Sequence, residues 1–194
     1  MTRLPADAAA FAERHGLMRG FWVFGYGSLM WNPEVAHTAR VMATVHGYHR
    51  RFCVYSHVYR GNPKAPGLLL GLDRGGSCRG LGFQVAAPAA PEAWAALWAR
   101  EMVTHVYRPV ILRAAVADGA LPMVTFVAER ASDQYCPNLE SAAMAGIIRT
   151  AKGTRGTNKA YFDNTLAHLE ACGIRDRALL RLARLVGGPD EKSR

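Results

Sequence analysis

Apolar residues along this 194-residue chain alternate with polar ones, or run together in short stretches, through the first two thirds, and fall at helical spacing in the last third. An alanine-rich segment from Asp7 to His15, closed by Gly16, predicts a short helix. Phe21 to Phe24, four apolar residues between Gly20 and Gly25, predict a buried strand, and Asn32-Pro33 marks a turn. Thr38 to Ser56 carries Val41, Ala43 and Val45 at period two, then Phe52 and Val54, which predicts one bent strand or two short ones with Gly47 at the bend. Arg60 to Gly67 is too broken by proline and glycine for a regular element and reads as a loop. Leu68 to Leu72 and Leu81 to Val85 predict two strands joined as a hairpin by Asp73-Arg-Gly-Gly-Ser77. Pro91 and Glu92 open a helix through Met102, followed by strands at Tyr107 to Val116 and Leu121 to Glu129. Leu139 to Lys152, Asn158 to Cys172 and Asp176 to Val186 read as helices with a glycine near each end. In the last, Leu179, Leu182, Ala183 and Val186 form an inward stripe while Arg177, Arg181 and Arg184 face away, as in a docking helix with a solvated face.

Two places depart from this pattern in ways that bear on chemistry. The stripe of the helix from Pro91 to Met102 is Trp94, Leu97 and Trp98, and the next position on it is Glu101, a carboxylate where the pattern asks for a hydrophobe. Loss of water and the helix C-terminal dipole both disfavour its charged form, so it is expected to be a stronger base than a surface Glu, suited to proton transfer. Equally, it reads as half of a structural ion pair with Arg100, Arg108 or Arg113. The second place is the turn Gly25-Tyr-Gly-Ser-Leu-Met30 after the first strand, where glycine permits positive φ and close approach to a ligand, and exposed amides form a concave anion site suited to a carboxylate. On the glycines alone, a plain strand-end turn is the simpler account. Gly153-Thr-Arg-Gly-Thr-Asn158 is another glycine-bracketed loop opening a helix, with Asn158 and Tyr161 as neighbours three apart on it; an N-cap and a half-buried aromatic account for that pair unless other evidence brings them to a pocket.

Composition narrows the picture without changing it. The length suits one globular domain, residues 1–194. The net charge of +9 raises nucleic acid as a partner, but Lys occurs only at 64, 152, 159 and 192 and the twenty Arg are scattered without a basic block, so no nucleic-acid role is expected. Cys53, Cys78, Cys136 and Cys172 are far apart and the seven His form no ligand pair, so neither zinc nor another metal is expected, and free thiols in a reducing cytoplasm are the simplest account. Charged residues interrupt the first segment as a signal peptide, and no apolar run approaches the ~20 residues needed to span a bilayer; a soluble cytoplasmic protein is expected. Oligomeric state is not legible.

The quoted residues, taken together, resemble the ChaC-type γ-glutamylcyclotransferases. The resemblance covers Phe21 to Val186 in order: WVFGYGSLMW, GYHRRF, YRGNPKAPG, the expected hairpin, the pair Arg100-Glu101, Tyr107-Arg-Pro109 and GTRGTNKAYFDNTLAHLEACGIRD. It implies an α+β fold, a small mixed barrel-like sheet flanked by helices. It also implies a cofactor-independent lyase that degrades glutathione, or another γ-glutamyl peptide, to 5-oxoproline and Cys-Gly by attack of the substrate's own α-amine. Tyr26, Gly27, Ser28 and Leu29 would hold the γ-glutamyl moiety and Glu101 would be catalytic, as base and then acid. For that substrate, the charge of Arg60 and its place in the loop before Gly67 suggest it near the mouth as the partner of the glycyl carboxylate, with Asn158 and Tyr161 as further candidate contacts. The alternative is a non-catalytic γ-glutamyl-peptide-binding or regulatory protein. One departure concerns the segment after Glu101: the family often has a glycine-containing turn there, and this chain has Met102-Val-Thr-His-Val106.

Overall fold

The computed structural model describes residues 4–188. The chain divides into two compact units, one of residues up to 49 with 74–129, the other of 50–73 with those from 130 onward.

Five strands form a closed barrel in the order β1-β3-β2-β4-β5, where β1 is Phe21–Gly25, β2 Ala39–Ser56, β3 Gly67–Val85, β4 Tyr107–Val116 and β5 Gly119–Ala128; the first unit holds β1, β4, β5, residues 39–49 of β2 and residues 74–85 of β3. The sheet is mixed: β1 runs antiparallel to β3 and parallel to β5. Helix α1, Ala6–Arg14, and helix α2, Ala90–Glu101, belong to this unit. The fully buried Trp94 of α2 organises their packing: its ring lies 5.4 Å from Phe11 of α1 and 6.1 Å from Phe126 of β5, and its Nε1 donates to the Ala8 carbonyl at 2.9 Å. That bond satisfies the indole donor, which burial would otherwise leave unpaired at a cost. The α+β fold with a small mixed barrel and flanking helices is thus what forms.

The bend expected at Gly47 is present inside one continuous strand, with φ 80° at that residue. The hairpin expected around Asp73-Ser77 is not. Residues 67–85 form a single 19-residue strand, β3, and Leu81–Val85 pairs with β1 rather than folding back on Leu68–Leu72. Gly75 and Gly76 do take positive φ, at 98° and 68°, but they serve as a bend within the strand, where the Gly75 carbonyl meets Nδ1 of His49 at 3.0 Å. A glycine pair that suits a turn bends this strand instead, because β1 pairs with its second half.

The second unit holds helices α3, Ser141–Thr150, α4, Asn158–Ala171, and α5, Arg177–Val186. The buried Phe52 of β2 packs against α4 here, its ring centroid 5.7 Å from that of Phe162 and 6.1 Å from that of Tyr161. Leu179, Leu182 and Val186 are buried on α5, which Asp176 caps through the amides of Ala178 and Leu179 while pairing with the buried Arg50 at 3.3 Å. The segment from 153 to 158, expected as a glycine-bracketed loop that opens a helix, does lead into α4 but is itself a minute hairpin of β6, Lys152–Gly153, and β7, Gly156–Thr157. Thr157, not Asn158, is the N-cap of α4, its side chain accepting from the Ala160 amide. The loop at Gly61 is folded so tightly that its backbone meets the backbone of Gly67.

All four cysteines are free thiols. Burial is the main cause that pushes the Cys53 thiol up to about 12 and Cys136 up to about 11, from 9.0; the nearby Asp73 adds to the effect at Cys53. Both thiols therefore keep their protons in the folded chain while the unfolded chain loses them above pH 9, so stability falls as pH rises through that window. The expected slope is about 1.4 kcal/mol per pH unit for each thiol, seen as a difference in urea unfolding between about pH 9 and about pH 11 that shrinks in a Cys53→Ala, Cys136→Ala variant. Among the described residues, no helix is long and apolar enough to cross a membrane.

Candidate active site

Helix α2 begins with Pro91 in its first turn and Glu92 beside it, and its apolar stripe is buried as expected: Trp94, Leu97 and Trp98 are at most 7% exposed. Glu101, the last helical residue, extends this face, with 15% of its side chain exposed. Its partner is Arg100, whose Nε lies 3.0 Å from Glu101 Oε1. Arg108 is engaged elsewhere, 3.7 Å from Glu129. The guanidinium favours the ionised carboxylate and so pulls against burial and the helix end.

Arg100 does more than neutralise its neighbour. Its side chain is 8% exposed; Nη2 donates to Ser28 Oγ at 2.8 Å, Nη1 donates to the Asn32 carbonyl at 2.6 Å, and Nη1 lies 3.3 Å from Glu34 Oε2. One planar cation therefore ties the carboxylate at the end of α2 to the turn after β1, using the fork geometry that suits Arg and not Lys. Sequence reading placed Arg100 only as a counter-ion for Glu101; the signal that could have found it is the need of a half-buried carboxylate for a fixed partner beside it.

The turn itself is a 3-10 element, Ser28–Met30, on the end of β1. Its backbone bonds start with the Met30 amide to the Gly27 carbonyl at 2.8 Å, so the amides of Ser28 and Leu29 stand ahead of the helical ladder, as first-turn donors do. Neither Gly25 nor Gly27 takes positive φ, contrary to the reason given for them from sequence. Gly25 is needed for closeness: a Cβ there would lie 3.0 Å from Leu29 Cβ. Tyr26 is buried, with its hydroxyl donating to the Phe126 carbonyl at 2.9 Å, which pins the turn to β5. Tyr26, Ser28, Leu29 and Glu101 are thus held together in the first unit. In the segment after Glu101, His105 takes φ 52°, the backbone region glycine would occupy most easily.

Arg60, Asn158 and Tyr161 belong to the second unit. Asn158 is fully buried and occupied by backbone: Oδ1 accepts from the Leu68 amide at 2.6 Å and Nδ2 donates to the Leu68 carbonyl at 2.8 Å. The Arg60 guanidinium lies 5.1 Å from the Tyr161 ring centroid and donates to the carbonyls of Arg155 and Thr157. Burial lowers the pKa of Arg60 from its ordinary value. These three residues meet each other's neighbourhood, with visible structural duties.

The chain matches the profile of the ChaC-like protein family over residues 21–188. The glutathione-specific gamma-glutamylcyclotransferase of Escherichia coli (strain K12) is 32% identical over 159 residues, which span 81% of this chain and 69% of that protein. The glutathione-specific gamma-glutamylcyclotransferase 1 of Homo sapiens is 29% identical over 190 residues, 94% of this chain and 86% of that one. Among solved structures, a yeast gamma-glutamylcyclotransferase specific to glutathione superimposes with a TM-score of 0.80 at 20% identity, covering 87% of this chain and 96% of the other, a likeness of fold. With the profile covering the barrel, the Ser28 turn and the Arg100-Glu101 helix end alike, this chain belongs to the ChaC-like protein family.

Proposed function

We propose that this protein is a cytoplasmic, cofactor-independent γ-glutamylcyclotransferase acting on glutathione, with the activity residing in the chain as a whole. The observation that carries the reading is the single guanidinium of Arg100 holding both Ser28 of the turn and Glu101 of α2; the names of the relatives supply the substrate.

In the proposed reaction the substrate's α-nitrogen forms a bond to its own γ-carbonyl carbon and the bond from that carbon to the cysteinyl nitrogen breaks. Glu101, ionised beside Arg100, takes a first proton from the α-ammonium so that the free amine can attack, and passes it to the departing cysteinyl nitrogen; the attacking nitrogen sheds a second proton as the lactam forms, and the released amine of Cys-Gly takes one up to become an ammonium, so 5-oxoproline and Cys-Gly form with no net proton change. Negative charge that builds on the γ-carbonyl oxygen is met by the first amides of the turn, Ser28 and Leu29, a contribution of roughly 3–4 kcal/mol for one well-placed donor. Holding the flexible glutamyl chain curled supplies the proximity term, up to about 7–11 kcal/mol in favourable cases. A contact of Arg60 with the glycyl carboxylate is proposed from its charge and its position in the loop, and contacts of Asn158 and Tyr161 from their places in the segment that resembles the family. The test is release of Cys-Gly and 5-oxoproline from glutathione by the purified chain; binding without product would instead support a non-catalytic γ-glutamyl sensor.

Arg100 acts here as a positioning residue. Arg100→Met is expected to lower kcat roughly a hundredfold, the scale of a misplacement of about 1 Å, with a smaller change in KM. The carboxylate also loses the cation that favours its ionised form, so the acidic limb of kcat/KM moves to higher pH. An unmoved pH profile would make Arg100 merely structural.

A further inference from the structure

We infer that the second unit carries a binding site for a small carboxylate, formed by residues to which the proposed cyclisation gives no part. A cavity of about 490 Å³ lies within this unit, lined by Tyr55, Asn62, Ala65, Pro66, Ile147, Thr150, Ala151 and Lys152. That size falls in the range of small-molecule sites.

Its polar lining is biased towards donors. Asn62 Oδ1 accepts from the amides of Lys64 and Ala65, at 2.9 Å and 3.0 Å, which fixes the orientation of the side-chain amide and leaves its NH2 to be offered to a ligand. The Lys152 ammonium and the Tyr55 hydroxyl have no side-chain partner among the described residues. Thr150 already donates its hydroxyl proton to the Gly146 carbonyl at 3.0 Å. A ligand that meets an ammonium, an amide NH2 and a phenol must supply acceptors, and one full positive charge among them matches one negative charge. The surrounding field agrees: segments 57–67 and 151–158 carry Arg60, Lys64, Lys152 and Arg155 and no Asp or Glu. The C-terminal end of α3 opposes an anion with about half a charge at most, and its Ile147 and Ala151 carbonyls are already bonded to the amides of Ala151 and Asn158. Ala65, Pro66, Ile147 and Ala151 give the rest of the lining an aliphatic character. A carboxylate on a short apolar body fits this set better than a phosphate, for which a second cation or an Arg fork would be needed in the lining.

The test is an NMR titration of the full-length chain with N-acetylglycine, which lacks a γ-glutamyl group, read at the Asn62 side-chain amide and the backbone amides of Ala151 and Lys152. Saturable shifts are expected, with Lys152→Arg retaining the affinity and Lys152→Glu weakening it about tenfold or more. Lys152 is exposed, so both variants should fold, and their spectra report that directly. N-acetylglycinamide, which lacks the charge, should not saturate. No saturable shift with N-acetylglycine, equal binding of the amide, tighter binding of inorganic phosphate, or indifference to Lys152→Glu would each overturn the inference. No turnover is measured, so it stands or falls independently of the cyclisation reading.

Discussion

Glu101→Gln should leave a folded protein whose kcat with glutathione is lower by roughly 10²- to 10⁴-fold, the range supplied by a positioned general acid or base. The substitution is nearly isosteric, and the amide oxygen can still accept from Arg100 Nε, so the link from α2 through the guanidinium to Ser28 should survive. What disappears is the capacity to carry a proton from the substrate's ammonium to its leaving nitrogen. KM should therefore move far less than kcat, because curling and anchoring of the substrate do not depend on that transfer. Cys-Gly formation measured alongside thermal unfolding separates loss of chemistry from loss of fold. A folded Glu101→Gln protein turning over within about threefold of the parent would remove Glu101 from the mechanism.

The largest effect on stability is expected at Gly61→Ala. A Cβ there would stand 2.0 Å from the Gly67 nitrogen, 2.6 Å from the Pro66 carbonyl carbon and 2.6 Å from the Ser56 carbonyl oxygen. All three are backbone atoms, so no side-chain rotation relieves the clash and the loop from 57 to 67 has to move. Arg60, beside it, donates to the Arg155 and Thr157 carbonyls, and the displacement would pull at those bonds as well. A loss above about 4 kcal/mol is expected, at the extreme end for single substitutions, where overpacking meets rigid backbone. Gly146→Ala in α3 is the control: a Cβ there has nothing within 4 Å, and the helix should gain about 1 kcal/mol. Urea denaturation of the two variants against the parent decides it; Gly61→Ala within about 1 kcal/mol of the parent would mean that the loop from 57 to 67 can shift at little cost.

Elements governed by local patterning were legible from sequence. Trp94, Leu97 and Trp98 at helical spacing located α2 and the carboxylate at its end, and the period-two run from Val41 located β2 with its bend at Gly47. What depends on partners distant in sequence was not. Gly75-Gly76 carries turn chemistry that fits a hairpin as well as a mid-strand bend, and only the pairing of Leu81–Val85 with β1 decides between them. Gly25 was explained by backbone freedom, whereas the nearness of Leu29 is what excludes a side chain. Asn158 looked like a cap and is instead a buried clamp on Leu68, ninety positions away. Arg100 was visible only as a neighbour of Glu101, because its bonds to Ser28 and Asn32 join segments whose meeting no local pattern announces.

The enclosure of the Arg100 guanidinium has a consequence for behaviour in salt. Mobile ions at physiological strength screen charges over about 8 Å of solvent, but they act weakly where water is excluded. The exposed Lys159–Asp163 pair on α4 should fade as electrolyte is added, whereas the cation joining Ser28 to Glu101 should keep its alignment, making the geometry of that cluster indifferent to ionic upshifts that disturb the protein's outer charges.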